Sequence, residues 1–201
     1  MSHPPIHLAG ILMEWDENKN LIQHTMTYLA LTFLTSAILL FMGYSFGFAP
    51  QRMSKLPRLR WAGILLGVPC LVWSAWHGCI MLEGGLAKYH IIVWLLVPVI
   101  SILGGLYLDY LFARSLGGFL ILASNELIRC GFIFDVPLRG LYSLICLAIG
   151  ICGLFLLGSP WHLRDALKRS AEKPAFGRAL AGALAGCAIL LILLACLKRL
   201  S

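Results

Sequence analysis

Apolar residues along this chain run in long unbroken blocks separated by short polar stretches. A helix needs about 20 mostly apolar residues to cross the hydrocarbon core of a bilayer. Five blocks meet that requirement, at about 26–48, 61–82, 91–113, 138–158 and 179–197. Membrane-spanning strands would alternate in polarity over ~10 residues, and these blocks do not. The pattern predicts an all-α polytopic integral membrane helical bundle.

One further stretch, about 114–137, is weak as a span. It reads RSLGGFLILASNELIRCGFIFDVP, apolar at both ends and polar in the middle. Gly118, Leu122, Asn125, Glu126 and Arg129 recur at helical spacings of three and four, so they share a face. Such a segment can lie in the interface as an amphipathic helix, re-enter from one side, or cross with Glu126 paired to Arg129 at i, i+3. Loop charge arbitrates. With six crossings, ten Lys and Arg residues fall on one side and five on the other, with Arg129 inside the span. With the segment in the interface, the division is nine against seven. Topology follows the Lys and Arg asymmetry of short loops, which favours six crossings with the basic side cytoplasmic and both termini outside. Residues 1–25 then form an outward-facing N-terminal segment, and 26–201 a single transmembrane domain. The opening MSHPPIH has no basic stretch ahead of its first apolar run, unlike a cleavable signal.

Composition agrees with the pattern. The chain has 201 residues, 60% hydrophobic and 12% charged, with mean hydropathy +0.86. Soluble domains are ~45–50% apolar and ~25% charged, which excludes a soluble globule and a disordered chain. The net charge of +7 would suggest nucleic acid in a soluble protein. Here the basic residues sit in clusters between apolar blocks, so the expected contact is an anionic leaflet and not nucleic acid. Short loops and a compact chain suit a bacterial plasma membrane. Trp61, Tyr107, Tyr110 and Trp161 would form an aromatic belt at the cytoplasmic edge. The polar loop at about 159–177 reads as a short surface helix ending before Pro174. The seven cysteines lie within apolar stretches and read as small buried hydrophobes, not as a disulfide framework or a zinc site.

Candidate chemistry is sparse. No GxxxxGK[ST], GxGxxG, GxSxG or HExxH pattern occurs, so no residue is singled out as catalytic and no metal ligand set is expected. His24, His77 and His90 would share the outer edge of the bundle, with Glu83 in a nearby turn. Such histidines could ligate a b-type haem or meet a quinone, although an interface also suits an amphipathic imidazole. The Asn125, Glu126 and Arg129 stripe should face protein or water, because lipid would leave its charges unpaired. Losing Glu126 alone is expected to strand Arg129. Gly182 and Gly186 form a GxxxG face expected to pack against another helix, most simply one of the same chain. Pro69 and Pro98 fall inside spans.

Three functions fit these features. The first is a non-catalytic packing or assembly subunit of a membrane complex, partnered by another membrane protein. The second is a small-solute or ion transporter or channel using the polar stripe. The third is a membrane redox anchor holding haem or meeting quinone through the outer-edge histidines. The first is preferred, because the other two require intramembrane polar groups, which are few.

Overall fold

The computed structural model describes residues 6–48, 60–82, 88–108, 110–134, 136 and 138–200, with side chains from Thr25 to Leu197. Among them are seven helices and no strand: α1 (Ile6–Gly47), α2 (Arg60–Met81), α3 (His90–Tyr107), α4 (Leu111–Ile133), α5 (Arg139–Gly158), α6 (Trp161–Glu172) and α7 (Pro174–Leu200). All but α6 contain a stretch long and apolar enough to cross a membrane. The protein is an all-α, multi-pass bundle. α1 runs on from its apolar part, Thr25–Gly47, back to Ile6, so the described part of the N-terminal segment continues the first span as helix.

The weak segment is the centre of the bundle. Instead of running from 114 to 137, it is a continuous helix, α4, with more than half of its apolar window buried. Small residues explain how α4 can be so enclosed. Gly117, Ser124 and Gly131 recur every seven positions, which on a helix makes one narrow seam. α5 lies along that seam. A Cβ on Gly117 would stand 2.6 Å from the Gly153 carbonyl oxygen, and one on Gly131 would stand 2.8 Å from the Tyr142 ring. Between them the Ser124 hydroxyl donates to the Cys146 carbonyl at 2.6 Å. The opposite flank meets α2, where the Ser115 hydroxyl donates to the Gly63 carbonyl at 2.8 Å. In apolar surroundings such side chain–backbone bonds satisfy the hydroxyls while letting the backbones approach.

The third span is shorter than the apolar run predicts. It ends at Tyr107, and residues 111–113 open α4 instead. The break is conformational, since Leu108 is extended and Tyr110 adopts a left-handed φ of 58°. Left-handed backbone is unfavourable for a tyrosine, so a compensating contact is expected. The Arg164 guanidinium supplies one by donating to the Tyr110 hydroxyl at 2.9 Å. Arg164 lies on α6, outside the spans, and the adjoining Asp165 carboxylate raises its pKa further, keeping the donor charged.

α6 is the expected surface helix, with Leu163, Leu167 and Ser170 buried and Lys168, Arg169 and Glu172 outward. Pro174 then starts α7, at a position where a missing N–H costs nothing. α7 packs on α1, and here the sequence expectation is corrected. The close approach uses Gly43 and Gly47 of α1, whose Cβ positions would lie 3.2 and 3.1 Å from Ala181. α7 contributes Ala188, Leu191 and Ala195 to the buried core. Gly182 and Gly186 lie on another face, and a Cβ on either would meet nothing within 4 Å. Among the described residues the intrachain contact expected of them is not made, because Ala181, Leu184 and Ala188 turn a different side of α7 toward α1.

The seven cysteines are free. Cys70, Cys130 and Cys146 are buried, while Cys152 and Cys196 face outward from their spans.

Candidate functional site: an intramembrane ion pair

Two of the sequence candidates meet at one place. α2 and α4 run side by side in the same direction, so His77 near the end of α2 comes level with Glu126 on α4. The Arg129 Nη2 and Nε donate to Glu126 Oε1 and Oε2 at 2.5 and 3.2 Å, a two-pronged pair one helical turn apart. His77 Nε2 stands 3.6 Å from Glu126 Oε2, close enough for an ion pair when the imidazole is charged but too far for a hydrogen bond. The Cys130 thiol points at Glu126 Oε1 from 3.9 Å.

Burial decides which member controls the site. The Glu126 side chain is 9% exposed, whereas that of Arg129 is 54% exposed. Glu126 is therefore the enclosed charge, and Arg129 reaches it from the rim. A lone acidic side chain at the centre of a span costs about 2.5–3.5 kcal/mol on insertion scales, and a fork of two donors offsets that cost. The imidazole is oriented from its other side. His77 Nδ1 lies 3.1 Å from the Trp73 carbonyl, which can only accept, so Nδ1 carries the hydrogen. In the neutral ring, Nε2 would then turn a lone pair toward Glu126. In the charged ring, it turns an N–H toward Glu126. Trp73 closes the cluster, its ring edge-on to His77 and tilted against Phe119 of α4. The arrangement holds α2 to α4 at one depth.

The remaining candidates are dispersed. Asn125 is exposed and does not join Glu126, so the three-residue stripe is divided between an inner and an outer side. His90 Nε2 donates to the Leu82 carbonyl at 2.9 Å, joining the start of α3 to the residue that follows α2. His24 is part of α1, but its side chain lies outside the described residues, as does Glu83. Among the described residues, no three His, Cys, Asp or Glu side chains are grouped to hold a metal ion. Two apolar grooves open elsewhere, one between α2, α3 and α4 and one where α1, α5, α6 and α7 meet, and Glu126 lines neither.

Sequence reasoning passed over several residues that position this site. The Gly117, Ser124 and Gly131 seam fixes the rotation of α4 and so turns Glu126 toward α2. Its seven-residue period was a readable signal. Trp73 carried no signal of its own, because its role depends on the backbone carbonyl it lends to His77. Arg114 looked like an ordinary basic residue at a span edge, yet its Nε is buried and has no hydrogen-bond partner. Comparison with known proteins finds no matching family model, no matching characterised protein and no matching solved structure.

Proposed function

We propose that this protein is a non-catalytic multi-pass subunit that works by packing against another membrane protein. The observation that carries this reading is the outward face of α7. Glycine in a helix costs about 1 kcal/mol relative to alanine and is repaid in a membrane when two backbones approach closely. Gly43, Gly47, Gly117 and Gly153 all stand at such approaches within the chain. Gly182 and Gly186 stand at none, and Gly182 and Ala183 beside them are exposed. A second helix from outside the chain is the partner that this face suits. In the same proposal, the end bearing α6 faces the cytoplasm of a bacterial plasma membrane and both termini lie outside. The excess of Lys and Arg at that end supports the orientation.

The test separates assembly from folding. Gly186→Ile places its side chain where nothing lies within 4 Å, so the isolated chain should melt within about 0.5 kcal/mol of wild type. The mass of the complex extracted gently from native membranes should fall to that of the lone chain. A complex of unchanged mass would mean that the face meets only lipid, and the proposal would be wrong.

A further inference from the structure

The groove between α2, α3 and α4 has the features of a binding site for one lipid. It has a volume of about 240 Å³ and is lined by Gly63, Gly67, Ser101, Gly104, Arg114 and Gly118 among aliphatic side chains. From Gly63 it extends along α2 to Leu71, about 12 Å at the rise of a helix. Gly63 and Gly67 let α2 lie close against α4 along one wall, and Gly118 leaves the hollow itself open. A Cβ on Gly118 would meet nothing within 4 Å.

Arg114 gives the hollow a charged end. It lies in the first turn of α4, at the basic end of the bundle, level with the start of α2. Its Nε is buried and lacks a hydrogen-bond partner, although buried polar groups are nearly always bonded. Among the described residues no carboxylate pairs with it. The nearby hydroxyls of Ser101 and Ser115 donate to the Val97 and Gly63 carbonyls, and neither accepts from the Arg114 Nε. Arg114 as a whole is only half-buried, so the accessible part of its guanidinium can take an anion from outside the chain, beside the apolar groove.

We propose that this groove holds an anionic phospholipid, with its phosphate on Arg114 and the upper part of one acyl chain in the glycine-lined hollow. Charge selects the headgroup, since Arg60 begins α2 at the same end and the described residues place no carboxylate beside Arg114. Apolar shape selects an amphiphile over a free ion. This site is independent of the α7 face and stands or falls by itself.

Native mass spectrometry of the full chain, released from micelles holding equal amounts of phosphatidylglycerol and phosphatidylcholine, tests the proposal. Wild type should retain phosphatidylglycerol at least about fivefold over phosphatidylcholine, roughly the effect of one basic residue near an anionic surface. Arg114→Gln should abolish the preference, and Gly118→Leu should abolish retention by filling the hollow. Lys168→Gln, which removes a charge of the same end but not of the groove, should change neither. Melting temperatures in detergent without added lipid identify any variant that fails to fold. If Arg114→Gln is such a variant, Gly118→Leu carries the test. Equal retention of the two lipids by wild type, or unchanged retention in a folded Gly118→Leu, would overturn the proposal. Displacement of the lipid by equimolar inorganic phosphate would also overturn it, because the site would then be one for a free anion.

Discussion

Gly117→Val is expected to destabilise the protein by about 3 kcal/mol, while Gly118→Val beside it costs less than about 1 kcal/mol. The two glycines are neighbours on α4 and share its helical propensity, so only their surroundings differ. A Cβ on Gly117 would lie 2.6 Å from the Gly153 carbonyl oxygen and 2.8 Å from the Leu157 nitrogen. Both are backbone atoms of α5, which cannot swing aside as a side chain can. Admitting the valine would force α4 and α5 apart along the seam that Ser124 and Gly131 continue, with loss of close contact on both sides. Gly118 faces open space. Unfolding of both variants in detergent, followed by circular dichroism, measures the difference. Equal losses would show that α4 and α5 do not meet as closely as described.

The ion pair should give the second large effect, with an order set by burial. Arg129→Gln leaves the enclosed Glu126 carboxylate without its two donors and should cost about 2–3 kcal/mol, below the ~3–5 of a fully buried pair because Arg129 itself is half exposed. Glu126→Gln leaves an arginine that can reach water or headgroups, and should cost about 1 kcal/mol. The double variant should be more stable than Arg129→Gln alone, since it strands no charge. The sequence alone predicts that losing Glu126 strands Arg129 and costs more than losing both charges, but it does not show which partner is enclosed. A double-mutant cycle of melting free energies checks the order. Additive losses would mean that the two side chains are separately solvated.

How much could be read in advance depended on whether a signal lay within one segment or between two. The apolar runs of α1, α2, α5 and α7 were legible because hydrocarbon selects continuous hydrophobicity, a local property. The centrality of α4 was hidden. Its polar residues weaken the apolar signal, and the partners that make them tolerable, His77 on α2 and the Cys146 carbonyl on α5, are distant in sequence. The end of α3 was hidden as well, since LYLDYLFA continues the apolar run and the break is a single left-handed tyrosine. Three GxxxG patterns were present, at Gly43, Gly63 and Gly182, and spacing alone could not say which of them met a neighbour. At the site, Glu126 and Arg129 were legible through their i, i+3 spacing. The joining of His77 to them was not, because it depends on how the small-residue seam rotates α4.

That rotation and burial presuppose that α4 crosses the bilayer, which the placement of the termini reports directly. Single reporter cysteines at Ser2, Glu172 and Ser201, in a chain whose seven native cysteines are replaced, can be labelled with a membrane-impermeant maleimide from one side of sealed vesicles. Glu172 is the loop position of choice, because it is exposed on α6 while Ser170 nearby is buried. Six crossings predict that Ser2 and Ser201 react from the same side and Glu172 from the other. Reaction of Ser2 and Ser201 from opposite sides would leave an odd number of crossings, remove α4 from the centre of the bundle, and contradict the architecture on which the ion pair and both faces rest.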